Sequence, residues 1–112
     1  MSPLPLVDTS EEQLTIAGTA LGITAAKLLD SATPAQPLNI VRATFHHQSG
    51  GDIYHSSVTA DPSNTGANGE IFQGVGSRWI VKGREAIVAW RGKKASGAAD
   101  ATVQVTLSTG NY

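Results

Sequence analysis

Three histidines, His46, His47 and His55, are the residues whose type and spacing come nearest to a reactive constellation. Between them lies Ser49-Gly50-Gly51-Asp52. A two-residue Gly-Gly loop closes a hairpin readily, because both positions take positive φ without steric cost. With Gly50 and Gly51 as that loop, His46 falls opposite His55 and His47 opposite Tyr54. Two facing imidazoles can hold a transition metal, but a working site needs a third ligand and outer partners, and no acid has an obvious claim to that place. They can also form a protonation-sensitive contact, since like charges directly opposite repel once the pH falls through about 6. Ordinary polar strand surface is the remaining alternative. His46 and His55 therefore stand as a candidate pH-sensitive pair, with no metal and no cofactor expected.

A second pattern sets guanidinium groups beside indoles, in Arg78-Trp79 and Trp90-Arg91, with Lys82, Arg84, Lys93 and Lys94 nearby. Such pairs stack on bases or sugars and reach phosphates. A formal charge of −1 and a charged content of 15% speak against a nucleic-acid partner. Both tryptophans also lie in β-propensive runs, so packing in a core or an interface is the competing reading, and Trp79 and Trp90 are candidate interface aromatics. Signals for catalysis are weak. Gly74-Val75-Gly76 has Trp79 where a dinucleotide fingerprint requires its third glycine. There is no phosphate-cradling loop, no nucleophile elbow and no His-Glu-x-x-His, and the absence of cysteine removes thiol chemistry and cysteine metal sites. A non-enzymatic protein is expected.

The elements that must position these residues read as strands. Glycine and proline punctuate short runs rich in Val, Ile, Thr and aromatics, the signature of an all-β domain with tight turns. The clearest is Ala101–Leu107, where Val103, Val105 and Leu107 alternate with Thr102, Gln104 and Thr106. Asn39–His47 is a second, with Val41, Ala43 and Phe45 on one face, although Ile40 falls among the polar residues of the other. Ile53–Val58 should complete the Gly-Gly hairpin. Gln13–Ile16, Gly69–Phe72, Arg78–Val81 and Ala86–Trp90 are further short strands, with Lys82-Gly83-Arg84 as the turn between the last two. Ile23–Asp30 reads as a helical turn or two, or equally as an edge strand. Residues 60–69 are turn formers throughout. Seven or eight strands in 112 residues fit one β-sandwich or small barrel.

Two further features bear on partners. Residues 1–12 read as an extended arm, because Pro3 and Pro5 forbid a regular start, and its apolar Leu4, Leu6 and Val7 call for a surface to lie on. The sandwich proper then spans 13–112. Charge is unevenly spread, −5 over residues 1–70 and +4 over residues 71–112. Interleaved strands would average this out; otherwise an acidic patch of one copy meets a basic patch of the next, and a homo-oligomer results. No apolar run approaches the length of a membrane span, and the opening residues lack the basic and apolar regions of a signal peptide, so no membrane partner is expected.

The order of segments carries a resemblance. Leu14-Thr15-Ile16-Ala17-Gly18-Thr19 is followed by Gly50-Gly51-Asp52-Ile53-Tyr54, a Pro-bearing loop at Asp61–Gly66, Gly69–Phe72, Arg78–Val81, Ile87–Arg91 and the alternating Ala101–Thr106. This succession resembles the small β-sandwich structural proteins of tailed bacteriophages, over roughly residues 13 to 107. His46-His47, the Pro-rich start and the loop Gly92–Asp100 depart from it. The resemblance implies a jelly-roll-like scaffold and no catalytic set. It further implies a virion component at the capsid surface, a decoration or cement protein on the major capsid protein lattice, with a glycan-binding tail or baseplate module as the alternative.

Overall fold

Strand β7 (Ala101–Gly110) runs through the interior of the larger of two sheets, between β1 (Leu6–Ile16) and β2 (Ile40–Ser49). Its period-2 alternation is realised: Val103 and Val105 are fully buried and Leu107 is 1% exposed. The computed structural model describes residues 6–29 and 33–110. The remaining elements are β3 (Ile53–Ser56), β4 (Ile71–Gln73), β5 (Arg78–Lys82), a helix α1 (Arg84–Ala89), β6 (Arg91–Lys94) and a 3-10 turn at Ala25–Leu28 that falls within the segment expected to be helical or edge strand. One sheet has the order β1-β7-β2-β5 and the other β4-β3-β6, and every pairing is antiparallel. The chain is a β-sandwich of seven strands among the described residues.

The strand order gives the jelly-roll expectation a specific form. The two sheets of a jelly roll run B-I-D-G and C-H-E-F in the usual lettering. Dropping strand C and numbering the others along the chain yields the two orders found here. The missing strand survives as a single antiparallel bridge, in which Leu21 and Gly92 exchange backbone hydrogen bonds of 3.0 and 2.9 Å.

Burial explains the awkward position of Ile40. Between Ile40 and Arg42 the register against β7 shifts by one residue. This bulge lets Ile40 enter the core together with Ala43 and Phe45, which strict alternation forbids. The core between the sheets is built from Ile16, Ile40, Phe45, Ile53, Ile87 and Trp90, all fully buried, with the inward residues of β7.

Three expectations are corrected. Ala86–Trp90 is helix and cap, not strand: Gly83 (φ 89°) turns the chain, and Ile87 and Trp90, three apart, both point inward. The apolar residues were right but the run is too short for its period to be read. Second, residues 6–12 are not an extended arm: from Leu6 onward the chain is β1, with Leu6 and Val7 paired to Gly110 and Thr109 of β7 in the same chain. As an edge strand, β1 satisfies backbone groups of β7 that would otherwise be unpaired. Leu4 lies outside the described residues. Third, Gly50-Gly51 does not close a hairpin. It carries the chain from β2 in one sheet to β3 in the other.

Candidate functional site

That corner decides what the histidines do. His46 sits beside Arg78 and Gln104 in its own sheet, while His55 lies across the sandwich beside Ile71 and Gly92. They do not face each other, so the pH-sensitive pair His46/His55 is not formed. The inward residues are His47, fully buried, and His55, 3% exposed. His47 shares the face of Phe45, two residues back, so the alternation of β2 already held its burial. Neither of its ring nitrogens has a hydrogen-bond partner in the structure.

His55 joins a cluster of rings that ties the two sheets together. Its imidazole stacks on Trp79 of β5 at 4.8 Å and 10° between planes. Trp79 in turn lies parallel to Phe45, its cross-strand neighbour on β2, at 5.2 Å. Trp90, at the end of α1, packs 4.5 Å from Phe45 and donates its indole N–H to His55 Nδ1 at 3.2 Å. An indole only donates, so Nδ1 is the bare nitrogen and the neutral ring carries its proton on Nε2. Nε2 lies 3.3 Å from Gln73 Nε2, and turning that amide by 180° sets its oxygen there to accept the proton. Burial disfavours the imidazolium and lowers the His55 pKa from 6.5 to about 4. His55 is a neutral structural acceptor at ordinary pH.

The two candidate interface aromatics therefore separate. Trp90 is fully buried and is a core residue. Trp79 is half-buried and lines a cavity of about 320 Å³ between β5 and the β3–β4 edge, with His55, Gln73, Ile71, Val58 and Ile80. No residue lining this cavity carries a formal charge at neutral pH. Its mouth is apolar and open to solvent, Val58 being 97% exposed, Ile71 56% and Ile80 51%. On the far side of Val58 a second hollow of about 480 Å³ runs along α1 past Val88. The opening exists because β4 and β5 are the edge strands of the two sheets, and among the described residues no strand closes the gap between them.

The basic residues near Trp90 are engaged in holding loops. Lys93 pairs with Asp61 at 2.7 Å, Lys94 with Asp100 at 3.1 Å, and Arg91 Nη1 donates to the carbonyls of Val88 and Trp90. Arg84 Nε donates to the Leu38 carbonyl. Among the described residues no three His, Cys, Asp or Glu side chains gather as a metal site would require. The arrangement offers binding: an uncharged cavity with an apolar rim on a packed two-sheet frame. Comparison with protein-family models, with curated proteins and with solved structures gave no match.

Proposed function

We propose that this chain is a non-enzymatic structural protein of tailed-bacteriophage virions, a decoration protein that docks on the major capsid protein lattice at the capsid surface. The observation that carries the reading is the apolar rim formed by Val58, Ile71 and Ile80 at the open side of the sandwich. Contiguous exposed apolar residues around an uncharged hollow suit contact with another protein. The jelly-roll-like strand order adds support by analogy, being an architecture shared by viral capsid and lectin domains. A modest contact suffices on a lattice, because many copies engage at once. The test is co-sedimentation with shells assembled from the major capsid protein. Wild-type protein should saturate the shells, and Ile71→Ser/Ile80→Ser should bind them about tenfold more weakly while keeping its fold. Wild-type protein left in the supernatant overturns the reading, and a double variant that binds as well as wild type overturns the assignment of the rim.

A second reading, a tail or baseplate module that binds host-surface glycan, draws on Trp79 beside the cavity. Its indole already stacks within the fold on Phe45 and His55, which weakens its case as a sugar platform. Glycan binding abolished by Trp79→Ala in a folded protein would favour this reading over the first.

A further inference from the structure

The outer face of the four-stranded sheet is graded by charge. Followed across β1, β7, β2 and β5, one row of side chains begins at Asp8 and ends at Lys82. The next begins at Glu11 and ends at Ile80, and the third begins at Gln13 and ends at Arg78. All six of these end residues are exposed. One margin of the sheet is thus acidic and the other basic, and β1 and β5 are its two edge strands. Within the described residues Glu11, Arg78 and Lys82 have no side-chain partner, while Asp8 uses one carboxylate oxygen to accept a hydrogen bond from Ser108 Oγ at 2.7 Å.

Strand polarity makes these margins complementary in geometry as well as charge. Each neighbouring pair in the sheet is antiparallel, so β1 and β5, three steps apart, run in opposite directions. A second copy displaced along the sheet so that its β1 lies beside β5 therefore continues the antiparallel ladder with its rows in line. In that register Lys82 lies directly opposite Asp8 of the second copy. Glu11 of the second copy sits diagonally between Lys82 and Arg78, within reach of both long side chains. Lysine on an edge strand ordinarily discourages edge-to-edge pairing. Here the same charges oppose pairing of β5 with another β5 and favour pairing of β5 with β1.

We propose that copies of this chain associate edge to edge, β5 of one against β1 of the next. The contact is heterologous, so it propagates into a ring or an open filament rather than closing as a two-fold dimer. It concerns the chain alone and does not depend on what lattice, if any, the protein decorates.

Sedimentation of the full chain tests this. At about 0.01 M ionic strength, where charges interact over ~30 Å, the weight-average mass should rise with protein concentration. At about 1 M it should fall towards the 11.6 kDa monomer. Arg78→Glu/Lys82→Glu and Asp8→Lys/Glu11→Lys should each weaken self-association by about 100-fold, since each sets like charges opposite one another. Mixing the two variants should restore association, because each then offers the edge the other lacks. All four positions are exposed, and unchanged far-UV circular dichroism checks that both variants fold. A wild-type protein that is monomeric throughout at low salt overturns the proposal. So do variants that associate like wild type, or a mixture that stays monomeric.

Discussion

His55 contributes to stability only as a neutral ring, because it accepts the indole N–H of Trp90 and lies between two sheets. Its pKa in the folded chain is about 4 against 6.5 for the free group. Between those values the unfolded chain takes up a proton that the folded chain refuses, so the stabilisation present above about pH 6.5 is lost progressively as pH falls towards 4 and declines no further below it. At 1.36 kcal/mol per unit the whole effect is at most about 3 kcal/mol. Urea unfolding across this range should show that loss in wild type and a flatter profile in His55→Gln, which keeps an acceptor for Trp90 but does not titrate. Equal slopes in the two proteins would place the acid sensitivity elsewhere. Trp90→Phe should cost about 1–3 kcal/mol at neutral pH, chiefly because His55 Nδ1 is left buried without its donor; chemical denaturation measures it directly.

At the scale of elements, β7 shows how much the sequence holds. Alternation alone placed Val103, Val105 and Leu107 inside, and Val105→Asp should cost several kcal/mol by setting an unpaired charge among fully buried residues, as a shifted urea midpoint would show. The two-layer all-β frame was legible for the same reason, because period 2 and turn residues are local signals. What joins the layers was not. Whether Gly50-Gly51 folds the chain back within a sheet or across to the other depends on tertiary packing, and with it goes every cross-strand partner of His46 and His55. The stacking of His55 on Trp79 brings together residues 24 apart in sequence on different sheets, and no local pattern records such a contact. Gly50 itself follows from the crossing: at φ 93° a Cβ would lie 2.6 Å from Ala101 Cα. Gly50→Ala should therefore lower the melting temperature markedly, whereas the same change at Gly83, where φ is 89° and ψ 135° but nothing lies within 4 Å, should cost the backbone strain alone, about 1–3 kcal/mol.

For the whole molecule, the reduction of one jelly-roll strand to the Leu21–Gly92 bridge and the gap between β4 and β5 leave a sandwich that has a buried core and is open along one side. The apolar rim at that opening and the charge gradient across the larger sheet meet at Ile80 on β5, the rim being suited to a foreign surface and the gradient to a second copy. Occupancy of a lattice separates the decoration reading from a tail role, since a tail module is carried in few copies and a decoration protein follows the number of capsid subunits. On the proposed reading the chain comes from a phage, and the decisive measurement is quantitative mass spectrometry of that phage's purified virions. A fixed ratio to the major capsid protein, in line with the symmetry of the shell, is the expected result; absence from the particle, or a copy number matching tail components, would contradict it.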